Sequence, residues 1–228
     1  MKIKPDKLHI GCGGFTPDGW LNTDGSWHVW ISRHKILKRI AIILGAIPKE
    51  HSKLKWAENI NLLDVRYPLP FDDNYFRAVY SSHVLEHLYR DEALRLLKEI
   101  YRVCRSGAVV RTIVPDLRTL VDNYIAGVIS PKAPGNSPAD TFIYNLFMRS
   151  PVADGSKGLR RIYHSIKEFN THKWAYDENS LVDLYHSAGF RNPKRYKELV
   201  SNIEDIKNIE RPERLGDSRS LIVEAIKE

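Results

Sequence analysis

The chain is predicted to fold as a doubly wound α/β domain, with a mostly parallel sheet and an inserted helical cap. Three observations predict this. Short, mostly apolar runs recur at Leu8–Ile10, Trp20–Thr23, Asn59–Leu63, Phe76–Ser81 and Ala108–Val114, as suits strands covered on both faces. A strong helical pattern separates the fourth run from the fifth, and strands alternating with helices favour a parallel sheet. Glycines, acids, serines and a histidine fall just past the ends of the runs, where ligands bind in such sheets.

The first run ends in Gly11-Cys12-Gly13-Gly14. Glycines after a strand let backbone come close to a bound nucleotide, since no Cβ stands in the way. The second run ends at Asp24, an acid placed to accept hydrogen bonds from ribose hydroxyls. The third ends at Asp64, ahead of Pro68 and Pro70, and the fourth at Ser81-Ser82-His83. A helix is then predicted from Asp91 as N-cap, with Ala93, Leu94, Leu97, Ile100, Tyr101 and Cys104 at helical spacing and Ser106-Gly107 as its end. Pro115-Asp116 stops the fifth strand.

From 117 to 175 the rhythm breaks. Helical pieces at Leu117–Ala126 and Ala139–Met148 flank a linker at Ser130–Pro138, and a polar run follows through Gly155–Gly158. We read 117–175 as a cap inserted over the site. A helix follows at Asp177–Ala188, with Gly189 just past its end. Arg195–Val200 and Ser220–Ile226 are the candidate closing strands. Residues 1–228 are expected to form one domain, with a second, basic insertion at 25–55.

Composition narrows the function classes. An apolar fraction of 43% over 228 residues is enough for a full core without staples. Two cysteines make no disulfide framework, so a reducing compartment is the default. The start, Met-Lys-Ile-Lys-Pro-Asp, has no apolar stretch behind it, and no run reaches spanning length. A cytoplasmic location is expected. The net charge of +7 suits anionic partners as well as a solubilising surface. Within 27–47, Trp27, Trp30, Ile31, His34, Leu37, Ala41 and Leu44 keep helical spacing among Arg33, Lys35, Lys38 and Arg39. Such a helix can lie on an anionic bilayer at the inner membrane face, close as a lid, or form a dimer contact. The oligomeric state is left open.

Five segments, in order, resemble the class I S-adenosylmethionine-dependent methyltransferases, which have a Rossmann-like fold. They are Leu8–Gly14; Asp24; Leu63-Asp64 with Pro68-Leu69-Pro70-Phe71; Ser81-Ser82-His83-Val84-Leu85-Glu86-His87; and Arg102–Gly107 leading to Val114-Pro115-Asp116-Leu117. Gly19-Trp20-Leu21-Asn22-Thr23-Asp24, His172-Lys173-Trp174-Ala175-Tyr176 and Glu178-Asn179-Ser180-Leu181 are similar to a bacterial branch associated with cell-surface polysaccharide and lipopolysaccharide assembly. The chain departs from those relatives in carrying Arg105-Ser106-Gly107-Ala108 where Lys-Pro-Gly-Gly is usual, and in the length of 25–55.

The resemblance implies S-adenosylmethionine as cofactor. Gly11, Cys12 and Gly13 would pass under the donor, and Asp24 would hold the ribose. Asp64 would accept from the adenine amino group, with Leu63 and Val65 flanking the ring. Ser81, Ser82 or His83 would meet the methionine end. The residues alone also allow Asp24 to cap a helix at Ser26–Trp30, Asp64 to open a turn, and Cys12 to be a small packing residue.

The branch implies a sugar, glycan or other small polar acceptor. A sugar hydroxyl needs a base, and histidine is the usual one near neutral pH. The candidates are His83, His87, His164 and His172, with His172 first and His83 second. Glu86 and His87 read as capping or packing residues. No metal site is expected: His164 and His172 have no second histidine or cysteine at i+3 or i+4, and there is no Cys-x-x-Cys.

A donor-binding scaffold without activity is the alternative of a different class. A nucleic-acid methyltransferase ranks third. Arg160-Arg161-Ile162-Tyr163 and Lys194-Arg195-Tyr196-Lys197 could meet phosphates, but no Asn-Pro-Pro-Tyr-like signature is present.

Overall fold

A computed structural model describes residues 5–26, 59–148, 171–211 and 220–228, together with Val29, His34, Ile36, Arg39 and Ile40. Most of the 27–47 segment, His164, Gly155–Gly158 and the 160–163 basic cluster lie outside the described residues.

Seven strands form one sheet: β1 (Lys7–Ile10), β2 (Leu21–Asp24), β3 (Asn61–Leu62), β4 (Phe76–Ser82), β5 (Cys104–Pro115), β6 (Arg191–Arg195) and β7 (Ser220–Ile226). Their order is β3-β2-β1-β4-β5-β7-β6. The first five run parallel, and β7 lies antiparallel between β5 and β6. The helices described from end to end are α1 (Arg90–Val103), α2 (Leu117–Ile125), α3 (Pro138–Leu146), α4 (Glu178–Ser187) and the one-turn α5 (Ile206–Ile209). The expected fold class is the one observed: a mostly parallel doubly wound sheet with flanking helices.

Alternation along the strands builds two cores, because successive side chains point to opposite faces. On β4, Val79 joins Leu8, Val110, Leu97, Ile100 and Leu184 on one face. Its neighbours Ala78 and Tyr80 join Trp20, Ile113, Ile206 and Ile222 on the other. That switch explains why β4 reads as a continuous apolar run.

The register sets the site. Ile10 pairs with Thr23 on one side and with Ser81 on the other, and Ser81 pairs with Thr112. The carboxyl ends of four strands therefore finish in one row. The turns that follow them, at Gly11, Asp24, His83 and Asp116, open on the same edge.

Three elements differ from expectation. Helix α1 begins at Arg90 rather than after Asp91, because the Tyr89 N–H donates to Glu92 Oε2 at 3.0 Å and closes the first turn two residues earlier. Strand β5 begins at Cys104, which pairs with Phe76, so Cys104 leaves the helical stripe. Ser106-Gly107 then lies within the strand, and the Gly107 N–H donates to the Lys227 carbonyl at 2.7 Å. Finally, β6 occupies Arg191–Arg195 instead of Arg195–Val200. The cause is Arg111. Its buried guanidinium binds the carbonyls of Lys197 and Val200 at 3.0 and 2.9 Å, curling that segment inward. The same guanidinium meets Glu210 at 2.6 Å and Glu224 at 3.2 Å, all three side chains fully buried.

Among the described residues, no helix is long and apolar enough to cross a membrane.

Candidate functional site

The turn after β1 is tight. Gly11 and Gly13 have φ of +69° and +57°, a region costly for residues with a Cβ. A Cβ on Gly11 would also run into Val84 Cγ2, so the glycine turn packs directly against the segment that follows β4. Nothing stands within 4 Å of where a Gly14 Cβ would be. Cys12 is fully buried with Val29 and Ile60, which fits a packing role.

Asp24 ends β2 beside this turn. Its Oδ2 accepts the Gly13 N–H at 2.9 Å and its Oδ1 accepts the Ser26 N–H at 2.8 Å. The acid thus pins the glycine turn and starts the next one. Each oxygen keeps a further lone pair for a ligand hydroxyl. Leu63 donates its N–H to the Asp24 carbonyl at 3.1 Å, and a Cβ on Gly25 would lie 2.8 Å from the Leu63 carbonyl. The ends of β2 and β3 are in contact, and Gly25 is what permits it.

Asp64 is held by Arg66. Arg66 Nε and Nη2 reach its two oxygens at 2.9 and 2.5 Å. That hydrogen-bonded pair keeps the Asp64 carboxyl below its ordinary range, despite partial burial acting the other way. Leu63 belongs to the core, and Val65 packs on its margin. Ser81 is buried with its hydroxyl on Thr112 Oγ1 at 3.2 Å, so its side chain lies within the sheet layer. Ser82 and His83 are partly exposed at the strand end.

His83 takes a left-handed backbone, φ +56°, a conformation uncommon for a residue with a side chain. Its N–H donates to the Ile113 carbonyl at 2.9 Å. Its Nδ1 lies 2.9 Å from Glu86 Oε1. Glu86 is on the 3₁₀ turn Leu85–His87, and its side chain is 1% exposed against 36% for His83. The other carboxylate oxygen, Oε2, is buried with no hydrogen-bond partner.

The segment from Thr171 to Tyr176 docks on that turn. Lys173 and Trp174 both donate their N–H groups to the Glu86 carbonyl, at 2.6 and 3.2 Å. This brings His172 to His87, with ring centroids 5.0 Å apart and edge to face. His172 Nδ1 sits 2.8 Å from the Leu146 carbonyl at the end of α3. Burial lowers the His172 pKa below that of a free imidazole, with the Glu86 charge opposing the shift, so the ring is neutral near pH 7. Tyr176 is buried beneath, its hydroxyl without a partner, and burial raises its pKa above that of a free phenol.

His83 and His172 therefore both lie at the Leu85–His87 turn, His83 on Glu86 Oε1 and His172 against the His87 ring. Glu86, read in sequence as a cap, is the anchor between them. The His-x-x-Glu spacing was no signal for it, since His83 lies before the Leu85–His87 turn with φ +56° and reaches Glu86 only through that bend. Pro115-Asp116 has a supporting part. Asp116 caps α2 through the Arg118 N–H at 3.0 Å and pairs with Arg195 at 2.9 Å.

Residues 8–112 match the family model described as a methyltransferase domain. No curated protein matches the chain. Solved structures with similar folds include a SAM-dependent methyltransferase from Thermotoga maritima described as a possible histamine N-methyltransferase. It is 14% identical, with 97% of this chain and 82% of that chain covered and a TM-score of 0.47. A SAM-dependent methyltransferase from Archaeoglobus fulgidus is 18% identical, with 97% and 85% covered and a TM-score of 0.43. Human N-acetylserotonin methyltransferase, solved with SAM, is 15% identical; 97% of this chain and 47% of that chain are covered, at a TM-score of 0.42. At this distance they bear on neither acceptor nor residue roles. The matched span runs from β1 into β5 and contains the glycine turn, Asp24, Asp64 and the His83–His87 turn. Over that span, a little under half of the chain, the sequence is similar to a methyltransferase domain.

Proposed function

We propose that this chain transfers a methyl group from S-adenosylmethionine to a hydroxyl of a sugar or glycan intermediate, with His83 as the general base. The observation that carries this is the His83–Glu86 pair, set on a segment packed against the glycine turn. Those residues fit the donor. Three of the four turn residues are glycines and the Cys12 side chain is buried, and an acid with spare lone pairs stands beside the turn.

When bound, the donor supplies an electrophilic methyl on a sulfonium that leaves as a neutral thioether. The protein must align the acceptor in line and take its proton. Glu86 Oε1 can only accept, so Nδ1 of His83 carries the hydrogen and Nε2 the lone pair. Nε2 of His83 would take the hydroxyl proton as the acceptor oxygen is methylated. A hydroxyl acceptor is supported by this built base, which a neutral amine would need far less. A glycan acceptor is supported by the branch-like motifs at Gly19–Asp24 and His172–Tyr176. The basic, tryptophan-bearing 27–47 segment supports a place at an anionic bilayer, and co-sedimentation with anionic liposomes at low salt tests that part.

The main test has two steps. Calorimetry with S-adenosylhomocysteine should show one site per chain. Methyl transfer should then be screened over nucleotide-linked and lipid-linked sugars. We expect His83→Ala to lower turnover by roughly 10²-fold or more with product-cofactor affinity unchanged. Full activity in that variant would remove His83 as the base, and no cofactor binding by the wild type would remove the function.

A further inference from the structure

A second cluster shares the Glu86 turn. Glu86, His87 and His172 each bring one ligating atom within 4.8 Å of those of the other two. We propose that these three side chains bind one divalent first-row metal ion.

The case rests on what the three atoms can do. His172 Nδ1 faces the Leu146 carbonyl at 2.8 Å, and His87 Nδ1 faces the Thr171 carbonyl at 3.4 Å, a long contact. A carbonyl oxygen only accepts, so each Nδ1 carries the hydrogen and each Nε2 the lone pair. A ring nitrogen tied to a carbonyl, with the other left to ligate, is the usual arrangement at metal-binding histidines. The third ligand is Glu86 Oε2. It is buried without a partner, while Oε1 of the same carboxylate holds His83. Each histidine thus keeps one ring nitrogen free to ligate, the carboxylate keeps one open oxygen, and one ligating atom from each residue lies within 4.8 Å of the other two.

The chemistry of the donor set narrows the ion. Two histidines and one carboxylate suit Zn²⁺, Mn²⁺ or Fe²⁺ better than Mg²⁺ or Ca²⁺, which take oxygen ligands. Ligands bonded at about 2.0–2.2 Å lie close to 3 Å apart, a closure that side-chain rotation can supply. Three protein ligands leave positions open for water or for acceptor oxygens. Resting on the methyltransferase reading, the ion would hold the acceptor hydroxyl and make its proton easier for His83 to take.

The test uses untagged full-length protein, stripped with EDTA and desalted. It is titrated with MnCl₂, followed by loss of the free-ion EPR signal, and with ZnCl₂ in a calorimeter. We expect one ion per chain. His87→Ala and His172→Ala should each weaken uptake at least tenfold, whereas His186→Ala, exposed on α4, should not. Thermal melts of the stripped variants check that they fold. Where an alanine variant does not fold, His87→Gln and His172→Gln are read in its place, with the same loss expected. Folded wild type that takes up no stoichiometric ion overturns the site, as does uptake unchanged in both histidine variants. S-adenosylhomocysteine titration of the same samples separates the two readings. Cofactor bound with metal refused overturns the metal site alone, and metal bound with cofactor refused overturns the methyltransferase reading alone.

Discussion

His83 Nδ1 stands 2.9 Å from Glu86 Oε1, and the carboxylate behind it is almost wholly buried. The imidazole is the partly exposed member, and it satisfies the one Glu86 carboxylate oxygen that has a partner. Stability and catalysis are therefore linked at this pair. Removing His83 leaves a buried carboxylate with neither oxygen hydrogen-bonded, at a cost of about 1–3 kcal/mol. Replacing both residues, as His83→Ala with Glu86→Leu, removes the unpaired charge as well. We expect the double variant to be more stable than His83→Ala alone, and a double-mutant cycle by urea denaturation to show coupling of roughly 1 kcal/mol or more. Additive losses would mean that the pair does not interact in solution.

The glycine turn makes a sharper contrast between neighbours. Gly11→Ala demands a left-handed backbone of a residue with a Cβ and drives that Cβ into Val84. Gly14→Ala meets nothing within 4 Å. We expect Gly11→Ala to lose at least 1 kcal/mol of stability and to weaken S-adenosylhomocysteine binding by more than tenfold. Gly14→Ala should melt within a degree or two of wild type. Adding Val84→Ala to Gly11→Ala should recover only part of the loss, since the strain at φ +69° remains.

The front half of the fold was legible because a parallel sheet declares itself locally. Apolar runs mark β1, β2, β4 and most of β5, and residues with chemistry follow each run. What escaped was set by contacts distant in sequence. Arg195–Val200 looked like a strand, and Arg111, far away on β5, bends its latter part inward. Cys104 looked helical, and its pairing with Phe76 on β4 makes it strand. The Glu86–His87–His172 cluster escaped for the same reason. Its adjacent pair is too close in sequence for a helical ligand spacing, and its third member arrives only because Lys173 and Trp174 bond to the Glu86 carbonyl.

Helix α4 supplies a pH-dependent prediction. Asp177 caps it, with Oδ1 accepting the Ser180 N–H at 2.8 Å. The backbone and side-chain hydrogen bonds from Ser180 hold its pKa below the ordinary aspartate value. A carboxyl depressed in the folded state stabilises it above the unfolded pKa of about 3.9, and loses that effect as pH falls through the folded value. Asp177→Ala should therefore cost about 1 kcal/mol at pH 7. The gap between the two proteins should narrow steadily below about pH 4. Asp177→Asn, which keeps an acceptor, should lose less at pH 7 and flatten the acid dependence. Melting temperatures from pH 2.5 to 7 measure both.

The two thiols allow a test of the core itself. Cys104 is fully buried where β5 leaves α1, and burial pushes its pKa up to about 12, with the Lys227 charge pulling weakly the other way. Cys12 is equally buried under the glycine turn. Thiolate is the reacting form, so at pH 8 native Cys104 offers almost none. An exposed thiol would react with an aromatic disulfide reagent within minutes at that pH. We expect neither cysteine to react until denaturant opens the sheet, and both then to react together. Cys12→Ser should leave the Cys104 rate tied to global unfolding. If one thiol instead reacts early, and S-adenosylhomocysteine slows it, that thiol is Cys12. The turn over it then opens locally, and the cofactor closes it.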